Sequence, residues 1–260
     1  MSSLLRIGQI LKGKTNIYII TKQLHEYIFL AQYLDDDLMT ETYKKTLTRC
    51  ELKFVARRAL KALMVLHDDG FVHTESDVKP NNILVNHGNN QRFSEIQLAD
   101  LGGTVSVDSK WAMKGHIVGT ACWRSPEVLL GMRWGTSTDI WSFGCSILML
   151  IYGNHYPFNP LNYGVKLDDD EYDFGVLQKH HQYLGPFPVS FADIADEGTQ
   201  NAIVLAMKSV PREKMKTFSE ITQKEIAKVD NDFLHKILRL DPRERLTAKE
   251  ILEDEWWELD

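Results

Sequence analysis

The stretch FVHTESDVKPNNILVNHGNNQRFSEIQLADLGG, from Phe71 to Gly103, constrains this chain more than any other. It carries two acids, Asp77 and Asp100, with Lys79 and Asn82 between them. A short apolar run adjoins each end: Ile83-Leu84-Val85 follows Asn82, and Ile96-Gln97-Leu98-Ala99 precedes Asp100. Runs of this length read as buried β segments. The residues between them, Asn86 to Ser94, are polar and turn-rich, so the two runs are expected to fold back as a hairpin. That would carry the polar residues at both ends to one edge. Two carboxylates, an amide and an ammonium gathered there suit magnesium-dependent phosphoryl transfer. Carboxylate and amide oxygens hold a hard cation, the ammonium neutralises phosphate, and a free carboxylate orients an attacking hydroxyl. The competing reading is a hairpin with surface acids.

Bulk properties narrow the field. At 260 residues the chain is one large domain or two small lobes. A formal charge of −6 argues against a nucleic-acid surface. Acidic clusters such as Asp35-Asp36-Asp37 and Asp168 to Glu171 read as solvated loops or caps. Cys50, Cys122 and Cys145 are odd in number and widely spaced, which suggests neither a disulfide framework nor a metal site and points to a reducing compartment. The first dozen residues lack an apolar leader core. The run from Ile140 to Tyr152 is too short and interrupted to span a bilayer. Neither internal repeats nor a low-complexity linker are visible.

Taken in order, residues 6 to 31 predict strands, with β-rich runs at 18–21 and 27–30 and a turn near Lys12 to Asn16. Leu52, Val55, Ala56, Ala59, Leu63 and Leu66 fall at helical spacing and predict an amphipathic helix from about Glu51 to His67, closed by Gly70. Ser125-Pro126-Glu127 reads as a turn before a helix. From Asp139 to Ile151 the pattern is apolar almost all round, which predicts a buried helix with Asp139 available as a cap. The stretch that follows Pro188, to about Ile226, reads as helical and charged. Adjacent His180 and His181 point to different sides of a helix, and neither Cys nor a third His is spaced to join them as metal ligands. Thr247-Ala248-Lys249-Glu250 forms a capping box for a final helix.

These motifs, in this order, resemble those of protein kinases. Asp77-Val78-Lys79-Pro80-Asn81-Asn82 resembles the catalytic loop, and Asp100-Leu101-Gly102 resembles the metal-binding Asp-Phe-Gly. The resemblance implies that Asp77 is the catalytic base and Lys79 a phosphate contact, with Asn82 and Asp100 as ligands of Mg²⁺. A lysine two residues after the base is the serine/threonine-type pattern. Leu11 to Tyr18 lies where a glycine-rich loop would be, with Gly13 alone remaining of three glycines. Gln32, Tyr33 and Leu34 resemble the hinge whose main chain meets adenine. Gly119 to Glu127 resembles the end of an activation segment. There Thr120 would bond the catalytic acid, and Arg124, as in the CMGC group, would shape the substrate pocket. Asp139 would accept bonds from catalytic-loop amides, and Arg245 would pair with Glu127. The resemblance covers about residues 33 to 260 and is greatest to fungal serine/threonine kinases near the SR-protein kinases.

The implied fold is α+β: a short β-rich N-terminal lobe over residues 1–34 and a mainly α-helical C-terminal lobe over 35–260. The implied chemistry uses ATP and Mg²⁺ on a protein substrate, with neither nucleic acid nor membrane as partner, inside the cell, in cytoplasm, nucleus or both. Two features depart from the pattern. A complete small lobe of five strands and a helix needs roughly 60–70 residues, and residues 6 to 38 supply about half of that. Lys22 and Glu26 only imitate the paired lysine and glutamate of that lobe. Glu75-Ser76 also intervenes between His73-Thr74 and Asp77, which puts in question the support His73 would give the loop. Without an arginine before Asp77, control through a phosphorylated activation segment is not expected. A second reading therefore stands beside the kinase: a catalytically impaired pseudokinase acting as a protein-binding scaffold.

Overall fold

The computed structural model describes residues 10–12, 17–24, 27–32, 34–74, 77–156, 158–163, 171–220 and 226–259, with the strands up to Gln32 described by their backbone alone. Strands β1 (Ile10–Lys12), β2 (Ile17–Leu24) and β3 (Tyr27–Gln32) form an antiparallel sheet in that order. The β-rich runs of the sequence lie inside β2 and β3. Short β4 (Asp36–Asp37) and α1 (Leu38–Lys44) follow, the helix capped by the Asp37 carboxylate on the Thr40 amide.

Helix α2 (Arg49–Asp68) is longer at its start than the apolar spacing predicts. Thr48 and Glu51 form a reciprocal capping box that satisfies the first free amides and lets the helix begin two residues earlier. Gly70, at φ +76°, takes the left-handed turn that ends it. Strand β5 (Phe71–Val72) leads into the central stretch, whose hairpin is β6 (Ile83–His87) and β7 (Phe93–Leu98). Its register runs from Ile83 opposite Leu98 to Asn86 opposite Glu95, and β4 pairs with the outer side of β6. Strand β8 (Val105–Ser106) pairs with β5, and the short helices α3 (Lys110–Met113) and α4 (Pro126–Leu129) follow.

Helix α5 (Thr136–Ile151) is the axis of the large lobe, with every residue from Thr138 to Leu150 buried. Its closest approach is at Gly144, where an added Cβ would lie 2.7 Å from Ile237 Cγ2. The cap of α5 is Gly135, not Asp139. Asp139 sits one turn further in, where its carboxylate is turned sideways to another partner. Helix α6 (Tyr172–Leu184) and helix α7 (Glu197–Ser209) cover one side, and α8 (Lys228–Ile237) and α9 (Ala248–Leu252) close the other. Between Pro188 and Ile226 only α7 is α-helical among the described residues; the remainder is short 3₁₀ turns and irregular chain. Thr247 and Glu250 make their capping box on α9. One apolar cluster runs from Leu38 through α2 and α5 to Trp257, and a smaller one around Val72, Ala112, Val128 and Trp134 lies under the segment after β8.

Candidate active site

The hairpin positions the central acids. The Asn82 side-chain nitrogen donates to the Asp77 carbonyl at 2.9 Å, and the Asn82 carbonyl accepts from the Ala99 amide at 2.8 Å. Asp100 follows immediately, in the left-handed region at φ +59° and ψ +47°. Asp77 and Asp100 are therefore held at one end of β6–β7, two hydrogen bonds apart through Asn82. Both carry a positive φ, which costs a non-glycine residue of order 1–3 kcal/mol and persists only where surroundings impose it.

Those surroundings come from below. Asp139, 2% exposed, accepts from the His73 amide at 2.8 Å and the Thr74 amide at 3.3 Å, and meets His67 Nε2 at 2.9 Å. Ser146, a turn and more along α5, donates to the Val78 carbonyl. The inserted Glu75-Ser76 does not displace His73. That side chain is fully buried, with Nε2 at 2.8 Å from the Ala99 carbonyl, directly before Asp100. Thr74 Oγ1 donates to the Gly103 carbonyl at 2.6 Å, and the Asp77 amide returns to the Thr74 carbonyl at 3.1 Å. Thr74 and Asp77 are both left-handed and joined by that bond, so the histidine beneath and the acid above are held on one frame.

The segment after β8 supplies the other wall. Thr120 donates its amide to Asp77 Oδ2 at 2.5 Å, and Lys79 Nζ donates to Thr120 Oγ1 at 2.9 Å. Burial pushes the Asp77 carboxyl up to about 7, against the lowering effect of the Thr120 bonds and of the Lys79 and Arg124 charges. Gly119, at φ +75°, packs so closely that a Cβ would lie 2.2 Å from Asp77 Oδ1. Arg124 straps the same segment: Nε donates to the Val118 and Gly119 carbonyls at 3.0 Å, and Nη1 pairs with Asp173 at 2.7 Å. Behind it, the fully buried Glu127 and Arg245 side chains meet through two parallel bonds of 2.6 and 2.7 Å.

The remaining sequence candidates divide. Leu34 is buried at 6% exposure, and Gln32 ends β3. Gly13 and Tyr33 lie outside the described residues, as do Glu26 and the side chain of Lys22. Among the described residues no lysine or arginine forms an ion pair with Asp100. His180 is caged by Trp141 and Phe158, ring centroids 4.6 and 4.9 Å away, and burial drives its pKa down to about 3. His181 turns instead to the Gly185 carbonyl. Sequence reasoning gave no role to His67 or to Gly119. A histidine in the last turn of the amphipathic helix, just before the central stretch, is the only signal of the first; the second announced itself only as a glycine beside Thr120.

The donor set suits a hard cation. Asp100 is exposed, and its Oδ1 lies 3.7 Å from where a Cβ on Gly102 would be, so the carboxylate lies over its own turn and within reach of solvent. With its nitrogen engaged on Asp77, the Asn82 side chain has a carbonyl oxygen as its ligand-type atom. One carboxylate and one amide oxygen are what a protein commonly offers Mg²⁺ when phosphates complete the shell.

A helical lobe built on a buried central helix, with this loop, hairpin and strapped segment on one edge, defines the large lobe of a kinase fold. The sequence pattern of the protein kinase domain matches residues 4–257, and the chain belongs to that family. Serine/threonine-protein kinase ppk5 of Schizosaccharomyces pombe is 28% identical over 249 residues, covering 93% of this chain and 27% of that protein. Mitogen-activated protein kinase pmk-1 of Caenorhabditis elegans is 28% identical, over 90% of this chain and 55% of its own length. Cyclin-dependent kinase 12 of the same organism is 28% identical over 88% of this chain and 29% of its own. The chain thus spans from about a quarter to just under two thirds of the length of three such relatives, ppk5, pmk-1 and a stress-activated protein kinase JNK of Suberites domuncula. Among solved structures, the crystal structure of the yeast RNA Pol II CTD kinase CTDK-1 complex superposes with a TM-score of 0.69 at 19% identity, over 98% of this chain and 76% of that one. At that identity the likeness is one of fold.

Proposed function

We propose that this chain transfers the γ-phosphate of ATP to a serine or threonine hydroxyl of a protein substrate. The observation that carries the reading is the buried Asp77, held by Thr120 and Gly119 on one side and tied through Asn82 to Asp100 on the other. Asp77 accepts the proton of the substrate hydroxyl at its carboxylate oxygen. Lys79, already within reach of Thr120 Oγ1, sets a positive charge beside that oxygen. Asn82 and Asp100 would hold Mg²⁺, which would supply positive charge to neutralise the phosphates. The main chain from Gln32 to Leu34 and the segment around Gly13 would meet the nucleotide. Arg124 shapes the substrate side through the carbonyls of Val118 and Gly119.

The test is phosphate transfer from labelled ATP with Mg²⁺ to a panel of serine- and threonine-containing peptides. Transfer should fall to background in Asp77→Ala, a loss of at least about 10²–10³ for one group of such a site. Equal transfer by both proteins refutes the assignment. A pseudokinase scaffold remains as the second reading, on one observation: among the described residues only three strands precede Leu34, and the first helix begins at Leu38. A protein that binds partners but shows no transfer over the whole panel supports that reading. We place either activity inside the cell, with protein rather than nucleic acid or membrane as partner. None of the described helices is long and apolar enough to cross a membrane.

A further inference from the structure

A cavity of about 290 Å³ lies between helix α6 and the chain that leaves α7. None of its described lining residues belongs to the reacting edge. Gly175, Gln178, Lys179 and Gln182 form its α6 wall. They recur at helical spacing on one face, whereas Asp173, the partner of Arg124, falls on the opposite face of the same helix. Ser209, Val210, Pro211 and Lys214 form the facing wall, and Pro160 completes the lining. The two walls are tied together. Gln178 Nε2 donates to Ser209 Oγ at 2.7 Å, Gln182 Nε2 to the Lys214 carbonyl at 2.7 Å, and the Lys216 amide to the Gln182 main-chain carbonyl at 3.1 Å. Such cross-bonds shape a cavity before any ligand arrives, which lowers the cost of binding.

The lining has the chemistry of an anion site. Each wall carries a lysine, Lys179 and Lys214, with neutral Gln178, Gln182 and Ser209 beside them, and no carboxylate lines the cavity among the described residues. Lys179 is 4% exposed, so water screens its charge little. Its Nζ also lies 5.5 Å from the Tyr183 ring centroid, and three N–H donors let one ammonium serve several partners. The local charge runs against the −6 of the whole chain: from Lys208 to Lys216, exposed Lys208, Arg212, Lys214 and Lys216 face the single acid Glu213. Glu213 and Glu171, the latter at the start of α6, are exposed and lie outside the lining. Two ammoniums match a phosphate monoester, which carries a charge of about −1.5 to −2 at neutral pH, better than they match a carboxylate. The apolar part of the site tells what carries the phosphate. Pro160, Val210 and Pro211 line the cavity. Leu161 follows Pro160, and Leu205 stands one turn before Ser209 on the same face of α7, the two exposed at 39% and 60%. A free ion makes no use of such a ledge, whereas a peptide side chain does.

We propose that this cavity binds a phosphorylated serine or threonine of a protein partner, with the phosphate between Lys179 and Lys214 and an adjoining apolar side chain on Pro160, Val210 and Leu205. The site stands on its own residues and holds whether or not Asp77 transfers phosphate.

The test uses the whole chain, without ATP, and two short peptide libraries with randomised flanks, one built around phosphoserine and the other around serine. The phosphoserine library should be retained and the serine library should not, and the retained sequences should be rich in apolar neighbours. In fluorescence anisotropy the best of them should lose affinity as salt rises and bind Lys214→Glu about tenfold more weakly. Lys214 is exposed, so that variant should keep the native melting temperature. Lys179→Met, which keeps the buried stem, should weaken binding as much; should it fail to fold, Lys214→Glu decides. Lys79→Ala, at the reacting edge, should leave the affinity unchanged, and a loss there instead puts the phosphate at the reacting edge and overturns the proposal. Equal retention of the two libraries, retention of neither, or a phosphopeptide indifferent to Lys214→Glu overturns it as well. Inorganic phosphate should compete weakly; full displacement at the peptide's own concentration assigns the cavity to the free ion and removes the protein partner.

Discussion

At the scale of single residues, Asp77 shows how burial and function compete. Its carboxyl is 4% exposed and titrates at about 7, against 3.8 for a free aspartate. The folded chain therefore binds a proton there that the unfolded chain has lost between those two values. Stability from this group is greatest below the unfolded value and declines as pH climbs toward 7. Asp77→Asn, which removes the titration, should flatten that decline. From pH 5 to pH 8 the unfolding free energy of the native protein, read from denaturant titrations, should fall relative to the variant by an amount of order 1–4 kcal/mol. A native-minus-variant difference that is the same at both pH values refutes the burial account. Residue types and spacing already announced Asp77, Lys79, Asn82 and Asp100. What the spacing left open was His73, because a sequence register cannot show that left-handed Thr74 and Asp77 bring the chain back to the same place.

At the scale of elements, long periodic segments were legible and short ones were not. Helices α2 and α5 follow from apolar spacing, since each buries a stripe or a whole surface against the core. The pairing of β5 with β8 involves two residues on each side and leaves no periodic trace. The small core under the segment after β8 was likewise invisible, because Val72, Ala112, Val128 and Trp134 come from four separated places. Long-range pairs behave similarly. Arg245 does more than neutralise Glu127: it also donates to the Ser137, Arg239 and Leu240 carbonyls at 2.7–3.0 Å. Arg245→Met should cost roughly 3–5 kcal/mol, because Glu127 stays buried without a partner. The pair E127L/R245M should recover less than half of this, since three carbonyls remain without their donor. Urea unfolding of both variants measures it, and full recovery in the double variant would reduce Arg245 to a counter-charge.

For the molecule as a whole, the large lobe was readable and the small one was not. The motifs from Gln32 onward lie on a scaffold whose core is continuous from Leu38 to Trp257. Before Leu34, the sequence showed β propensity without the landmarks that tell one strand of such a lobe from another. A cleft whose upper half shows three strands among the described residues should hold nucleotide mainly through its phosphates and metal. ATP should raise the melting temperature only when Mg²⁺ is present, and Asp100→Asn should abolish the increase while the unliganded melting temperature stays put. An equal shift without metal would assign the affinity to the adenine instead.

The turn between Thr74 and Asp77 has one last consequence. Its two bookends bond each other, and each is also pinned elsewhere, Thr74 to Asp139 and Gly103, Asp77 to Thr120 and Asn82. The outer anchors hold the acid without help from the residues between, so a residue added there should cost the bond between the bookends and leave the acid in place. The turn is the natural place in this molecule to splice in a reporter that senses the reacting edge from a few ångströms away.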